Sequence, residues 1–211
     1  MKEVLDFVHE FVPGSSKRTL LLLHGTGGNE HDLIRLGHEI DPTAAIVSPR
    51  GKVLENGMPR FFRRVAEGVF DLEDLEKRTN ELADFVADAA KHYHFAAEQI
   101  VAVGYSNGAN IAASMLLLRP ELLRAAVLFR AMVPLVPDNL PDLSSVRILI
   151  GTGDQDPIVP ASETQRLVKL LRQAGADVTV RFAQATHALT NIEIKTARHW
   201  LEELKPPGAP G

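Results

Sequence analysis

The sequence contains no cysteine, so disulfide bonds, thiolate metal sites and cysteine nucleophiles are all excluded. It has no window of about 18 consecutive apolar residues, as a membrane-spanning helix would need, and its first residues show no apolar run of signal-peptide type. Neither sign of charge dominates, because 23 Lys and Arg stand against 27 Asp and Glu, a net charge of −4. Such a composition offers no basic surface for nucleic acid or anionic membranes. We therefore expect a soluble cytoplasmic protein without a nucleic-acid partner or membrane insertion.

What the chain does contain is enough apolar residues for one large core. Its 211 residues suit a single α/β domain, and 45% of them are hydrophobic. We expect that domain to cover residues 1–205. The closing segment KPPGAPG cannot continue a helix, so residues 206–211 are predicted to be a disordered tail.

Short apolar runs alternate with helical patterns along the chain. A first segment alternates in polarity from Leu5 to Phe11 and suits an exposed strand. Six nearly continuous runs follow, as is typical of parallel strands that are covered on both faces. They are TLLLLHG (19–25), AAIVSP (44–49), QIVAVG (99–104), AAVLF (125–129), VRILIG (146–151) and VTVRFA (178–183).

The segments between these runs carry helix signals. From Asp71 to Tyr93 the apolar residues fall on one helical face, and Asp71 can cap that helix. Ser162 with Gln165, and Thr190 with Glu193, have the spacing of capping boxes. The alternation predicts an α/β fold in which a mainly parallel sheet has helices on both faces. No connection between these elements is long enough for a large lid.

In a parallel sheet, ligands bind at the carboxyl ends of the strands, so those ends are where functional residues are sought. Ser106 follows the run 99–104 and opens a helical segment, with Gly104 and Gly108 two residues away on each side. This strand–turn–helix context is that of a nucleophile elbow, where a sharp turn exposes the hydroxyl. The alternative is an ordinary Gly-Ser turn at the start of a buried helix.

A glycine-rich loop, HGTGGNE, follows the run 19–25. It does not fit a phosphate-binding loop, because no Lys-Ser/Thr pair follows, and a dinucleotide fingerprint lacks its third glycine since residue 30 is Glu. The alternative is a flexible connection. An acyl-transfer enzyme, however, takes a second oxyanion-hole donor from such a loop.

Two further strand ends carry acidic residues and a histidine. Asp154 and Asp156 follow the run 146–151, and His187 follows the run 178–183. The acidic pair could be ordinary turn residues. Pro157 restricts the backbone of the residue before it, which favours Asp156 as a rigidly held carboxylate. Ser, Asp and His in this order, each after a separate strand, form the pattern of an α/β-hydrolase triad.

These segments resemble the phospholipase/carboxylesterase group of small α/β-hydrolases, which includes acyl-protein thioesterases and short bacterial carboxylesterases. The matching segments extend from about residue 18 to 201. The segment PRFFRR resembles the corresponding segment of the bacterial carboxylesterases in this group. One departure is Thr186, where such proteins often have Gly before the histidine. The matching segments are LLLHGTGGNEHDL, PRFFRR, VGYSNGANIA, GTGDQDPIVP and THALT.

The resemblance implies an ester hydrolase in which Ser106, Asp156 and His187 are catalytic and no cofactor or metal is required. The backbone N–H of Asn107, the residue after the nucleophile, is one expected oxyanion donor. The resemblance adds the N–H of Thr26 as the second. It also places PRFFRR near the site, so that Phe61 and Phe62 could wall a substrate pocket; the alternative is that both are core residues under a loop. Three more candidate pocket residues flank the strand ends: Met132, Ile158 and Leu189.

The substrate class is less defined by the sequence. We expect a serine carboxylesterase acting on short or medium acyl esters, aromatic ones included. A thioesterase, a lysophospholipase or an acyltransferase would use the same residues, and a homodimer stays open. A non-catalytic binding protein would not need the complete triad, and a nucleotide-dependent oxidoreductase would need the missing glycine fingerprint.

Overall fold

The apolar runs form the strands of one sheet, and the computed structural model describes residues 5–204. The domain end predicted at residue 205 and the tail at 206–211 lie outside these residues. Seven strands build the main sheet and four short ones build two hairpins. In chain order they are β1 (His9–Val12), β2 (Thr19–Leu23), β3 (Ala45–Pro49), β4 (Val53–Glu55), β5 (Met58–Arg60), β6 (Arg64–Ala66), β7 (Val69–Phe70), β8 (Ile100–Tyr105), β9 (Ala125–Phe129), β10 (Arg147–Gly153) and β11 (Asp177–Ala183).

The main sheet has the order β1-β3-β2-β8-β9-β10-β11. Only β1 runs antiparallel to its neighbour, and it is shorter than the alternation from Leu5 predicts. The other six strands are parallel, so their carboxyl ends meet along a single edge. We call this edge the carboxyl edge and the opposite one the amino edge.

Within residues 5–204, five α-helices cover the two faces of the sheet. The helices α1 (Ile34–Ile40) and α5 (Asn191–Glu202) pack on one face, against Leu20 and Leu22 of β2. The other three pack on the opposite face, against Leu21 and Leu23. This alternation of one strand's side chains between two cores explains why its run is continuously apolar. The helices are α1 (Ile34–Ile40), α2 (Leu72–Tyr93), α3 (Asn107–Leu118), α4 (Ala161–Gln173) and α5 (Asn191–Glu202).

Two of the three predicted helix starts are observed. The Asp71 side chain accepts a hydrogen bond from the N–H of Asp74, and Thr190 forms its capping box with Glu193. The capping box predicted for Ser162 is wrong, because α4 already begins at Ala161 and Ser162 lies in its first turn. The extended backbone of Pro160 leads directly into the helix, and its carbonyl accepts the N–H of residue 163 at 2.9 Å.

The connection between β3 and α2 forms two small hairpins near the carboxyl edge. Asn56 and Gly57 join β4 to β5 with φ angles of 52° and 78°. Two successive positive φ angles are those of a type I′ turn, for which Asn-Gly is the preferred sequence. The second hairpin pairs β6 with β7. Within residues 5–204 neither hairpin is long enough to form a large lid.

Candidate active site

Ser106 lies in the turn between β8 and α3, with φ 53° and ψ −114°. A positive φ costs a residue with a Cβ atom about 1–2 kcal/mol, and such strain gathers at functional sites. The two neighbouring glycines serve another purpose. A Cβ at Gly108 would collide with the carbonyl oxygen of Leu23, and one at Gly104 would meet Ala109. The glycines therefore let α3 approach the strands, while the serine itself takes the strained conformation.

The side chains of Ser106, His187 and Asp156 form one hydrogen-bonded chain. His187 Nε2 lies 3.0 Å from Ser106 Oγ, and His187 Nδ1 lies 2.8 Å from Asp156 Oδ2. A carboxylate only accepts hydrogen bonds, so Nδ1 carries the proton and Nε2 is free to accept from the hydroxyl. This tautomer is the one a general base needs.

Of the two aspartates after β10, Asp156 faces the histidine. Its side chain is fully buried, and its Oδ1 accepts the N–H groups of Ile158 and Val159 at 2.8 and 3.1 Å. Burial raises the pKa of Asp156, but these two donors and His187 outweigh it and bring the pKa below the ordinary value. Asp154 is exposed and accepts the N–H of Ala185 at 3.3 Å, so it closes the turn.

Two backbone N–H groups on the loops around Ser106 are unpaired. In the described part of the chain, the N–H groups of Thr26 and Asn107 have no hydrogen-bond acceptor. The Asn107 group belongs to the first turn of α3, where the helix leaves such donors unpaired. In acyl-transfer enzymes, unpaired N–H groups of this kind stabilise a tetrahedral oxyanion.

The hairpin β4–β5 holds the loop that carries Thr26. Arg60, buried at the end of β5, donates from Nη1 to the Thr26 hydroxyl at 2.7 Å. The N–H of Gly27 donates to the Pro59 carbonyl at 2.9 Å. Arg60 is held in turn by Glu55, at 3.1 Å between Nε and Oε2. No local sequence signal points to this role of Arg60, because it depends on contact between segments 34 residues apart.

His24, at the end of β2, ties the same loop to the segment after β3. Its Nδ1 donates to the Gly25 carbonyl at 2.7 Å, and its Nε2 accepts the N–H of Gly51 at 3.0 Å. Burial lowers the pKa of His24, so the neutral form that makes both bonds is favoured. His24 is therefore structural and makes no bond to the triad.

The hydrogen-bonded chain of Ser106, His187 and Asp156 lies at a cleft of about 280 Å³. Met132 and Ile158 line it as predicted, and Phe70 and Tyr105 supply its aromatic walls. Of the three charged residues of PRFFRR, Arg60 and Arg64 line the cleft, while Arg63 is exposed and pairs with Asp71 and Asp74. The remaining lining residues are Thr26, Glu67, Gly68, Ser106, Asn107, Asn110, Arg130, Val159 and His187.

Three predicted pocket residues lie elsewhere. Phe61 and Phe62 are 2% and 0% exposed and belong to the core under α2 and α3, so their assignment to the cleft is wrong. The strand before them turns inward at Arg60, and the N–H of Phe61 is held by the Asn107 side chain at 2.8 Å. Leu189 is likewise misassigned, because it packs against the core on the α5 face.

Among residues 5–204, no group of three or more His, Cys, Asp or Glu side chains could hold a metal ion. The described helices also include none that is both long and apolar enough to cross a membrane.

Comparison with known proteins places this geometry in a family. Residues 12–205 match the phospholipase/carboxylesterase family. The chain belongs to this family. It is 49% identical over 195 residues to a Bacillus subtilis (strain 168) protein that bears the name hydrolase MhqD, covering 92% of this chain and 98% of the relative.

Solved structures agree with the family. The Bacillus cereus carboxylesterase is 48% identical, with a TM-score of 0.92 over 94% of each chain. The Mesorhizobium loti carboxylesterase is 31% identical, with a TM-score of 0.89 over 97% of this chain and 98% of that one. The predicted α/β-hydrolase fold and the predicted enzyme class, a carboxylic ester hydrolase, are therefore confirmed.

Proposed function

We propose that the chain is a serine carboxylesterase that cleaves short and medium acyl esters, with Ser106, His187 and Asp156 as its catalytic triad. The observation that carries the proposal is the hydrogen-bonded chain from Ser106 Oγ through His187 to Asp156. It stands at a cleft beside two unpaired backbone N–H groups, those of Thr26 and Asn107.

The geometry supports acyl transfer through a covalent intermediate. His187 Nε2 takes the proton of the Ser106 hydroxyl while Oγ attacks the ester carbonyl carbon. The N–H groups of Thr26 and Asn107 bind the resulting oxyanion. The protonated His187 then gives its proton to the leaving alcohol, and the acyl group stays on Oγ. A water molecule then gives a proton to His187 Nε2 and attacks the acyl carbon. Ser106 Oγ leaves and takes that proton back, and the acid is released.

Asp156 acts through His187. Its negative charge stabilises the imidazolium that forms in each half-reaction, and its hydrogen bond holds the ring in the productive tautomer. The lowered pKa of the Asp156 carboxyl keeps it ionised at the pH values where the enzyme would act.

The shape of the cleft supports small substrates. Beyond Met132 and Ile158 the cleft continues as a shallow groove of about 570 Å³ between the β6–β7 hairpin and the loop before α4. The groove is lined partly by exposed apolar residues such as Val69 and Leu72. An acyl chain in this groove stays partly in contact with water. Each of its CH₂ groups therefore contributes less binding free energy than the ~0.8 kcal/mol of a fully buried CH₂ group.

A panel of p-nitrophenyl esters tests both parts of the proposal. We expect acetate or butyrate to be hydrolysed at least about tenfold faster than palmitate, by kcat/KM, because methylenes beyond the cleft contribute little. A preference for palmitate would contradict the assignment of short and medium esters. Absence of hydrolysis of every ester, together with turnover of acyl thioesters, would show a thioesterase using the same site.

Thioesterase, lysophospholipase and acyltransferase activities would all use this triad, and the name of the Bacillus cereus relative favours the ester. The cytoplasmic location and the homodimer stay predictions.

A further inference from the structure

One buried charged side chain at the site, that of Arg130, has no role in the mechanism proposed above. Arg130 directly follows β9, and its side chain is 0% exposed. Its φ is 59°, which makes it one of four described non-glycine residues with positive φ. Two of the others have local reasons, Asn56 in a type I′ turn and His94 at the end of α2. The remaining two, Ser106 and Arg130, stand at neighbouring strand ends of the carboxyl edge.

The Arg130 guanidinium binds three consecutive carbonyls of the loop that carries the catalytic histidine. Its Nε–H is shared between the carbonyls of Thr186 and His187, both at 3.1 Å, and its Nη2 donates to that of Ala188 at 2.7 Å. Its other donors form a bidentate pair with Glu193 at 2.5 and 3.0 Å. A planar fork of five donors suits such a multiple contact, which lysine cannot reproduce.

The same guanidinium lies beside the catalytic carboxylate. Arg130 Nε is 3.7 Å from Asp156 Oδ2, and both side chains are fully buried. On its far side, Glu193 is bonded to Arg130 and caps α5 with Thr190. Burial raises the pKa of Glu193, but the bonds from Arg130 and Thr190 outweigh it and lower the pKa, so this carboxylate is charged.

We propose that Arg130 is a positioning residue for the ester hydrolysis proposed above. It fixes the loop 186–188 so that His187 faces Ser106, and its charge opposes protonation of His187. This inference rests on the proposed function for its kinetic consequences. Its structural content, the effect of one buried cation on the histidine, can be measured without turnover.

The sign of the charge effect follows from the groups that face His187. Asp156 stabilises the imidazolium, whereas Arg130 destabilises it, and burial leaves the attraction and the repulsion poorly screened. Tyr105 donates from its hydroxyl to the His187 carbonyl at 3.0 Å, and burial raises the pKa of Tyr105, so it stays neutral. Glu193 lies behind Arg130, and the charged groups of the hairpin segment at the cleft are Arg60, Arg64 and Glu67.

Three variants separate the loop contacts from the charge. Arg130→Lys keeps the positive charge but loses the planar set of five donors, so kcat should fall about tenfold or more. The acidic limb of the pH profile of kcat/KM should stay in place. Glu193→Gln keeps Arg130 and removes its counter-charge, so the acidic limb should move to lower pH, by about half a unit. Arg130→Met/Glu193→Gln leaves no unpaired buried charge. It should lower kcat at least about thirtyfold and move the limb to higher pH.

A matched control is available at the amino edge. Arg18 binds Asp41 at 2.6 Å and the Leu201 carbonyl at 3.0 Å, again a carboxylate and a backbone oxygen. Arg18→Met should lower the melting temperature but leave the acidic limb in place and kcat/KM within about twofold of wild type, since it touches no group of the site.

The inference is overturned if Arg130→Met/Glu193→Gln behaves like the control, with a lower melting temperature, an unmoved limb and kcat/KM within about threefold of wild type. If that variant does not fold, Arg130→Lys with wild-type kcat and Glu193→Gln with an unmoved limb overturn it equally. An NMR titration of the His187 imidazole in the wild type, Glu193→Gln and Arg130→Lys measures the charge effect directly. If the wild type hydrolyses no ester, the proposed function fails, while the titration still decides the effect of Arg130.

Discussion

The two edges of the parallel sheet use the same interaction with different consequences. At the amino edge, Arg18 joins β2 to the residue after α1 and to the end of α5 through Asp41 and the Leu201 carbonyl. At the carboxyl edge, Arg130 joins the end of β9 to the start of α5 through Glu193 and three loop carbonyls. Each arginine pairs with a carboxylate and satisfies backbone oxygens, which stabilises the packing of a helix on the sheet.

The difference lies in what else is held in place. At the carboxyl edge the fixed atoms include a histidine, a carboxylate and unpaired N–H groups, and the backbone is strained at Ser106 and Arg130. The amino edge has its own buried polar cluster around Asp41, but its oxygens are taken up by Thr43, Ala44 and Arg18. A buried ion pair stabilises structure at either edge. Such an ion pair affects catalysis only where the atoms that it positions are free to react.

The largest expected effect comes from Ser106, the proposed nucleophile. Ser106→Ala should lower kcat for ester hydrolysis by roughly 10⁵–10⁶, with little change in stability, because alanine meets the same strained backbone. An organophosphate should label the wild type once, at Ser106. The control is Ser114→Ala, which removes a buried hydroxyl bonded to Thr79 at 2.8 Å. It should cost about 1 kcal/mol of stability and leave kcat/KM within about twofold. Labelling at Ser114 or Ser48 would contradict the assignment.

The next effect separates two aspartates of the carboxyl edge itself. Asp156→Asn should lower kcat by roughly 10⁴, because an amide donating to Nδ1 leaves His187 in the wrong tautomer. Asp154→Asn should cost less than about tenfold, because the residue only supports the turn through the N–H of Ala185. Both are measured with p-nitrophenyl butyrate. If the two results were reversed, Asp156 would be the turn residue.

A smaller effect is expected from the loop that carries Thr26, the proposed oxyanion donor. Thr26→Val keeps the backbone N–H but removes the hydroxyl that binds Arg60, so kcat/KM should fall about tenfold as the loop loosens. The matched change at the amino edge is Thr43→Val, which removes a hydroxyl bonded to Asp41 at 2.7 Å. It should lower the free energy of unfolding by about 1 kcal/mol and leave kcat/KM unaltered. Equal kinetics for both variants would show that Arg60 does not position the loop.

The smallest effect concerns pH and stability. Burial lowers the pKa of His24 in the folded state, so the unfolded chain binds a proton more readily. The free energy of unfolding should therefore decline as pH falls below about 6.5, the unfolded value, and continue to fall toward the folded value. His24→Gln should reduce this slope in chemical denaturation at pH 7.5 and 5.5, whereas the exposed His38→Gln should keep it. An unchanged slope for His24→Gln would show that another group controls it.

Much of the fold was predictable because its signals are local. Six apolar runs, the cap of α2 and the capping box of α5 each lie within a few residues of chain, and the structure has them. The β4–β5 hairpin, which was not predicted, has an equally local signal in Asn56–Gly57. The prediction that Phe61, Phe62 and Leu189 line the cleft was wrong, because the direction of a side chain depends on where its segment turns in the folded chain.

The sequence by itself determined the six parallel strands, the order Ser, Asp, His along the chain, and the preference for Asp156 that Pro157 imposes. These follow from hydrophobic periodicity, turn chemistry and the steric effect of proline, which act between near neighbours. The tertiary structure alone decided that Arg60 reaches Thr26 across 34 residues and that Arg130 reaches Glu193 across 63. In a parallel sheet, strand ends that meet in space are separated by whole helices in sequence. Contacts between these strand ends therefore produce no local sequence pattern from which they could be predicted.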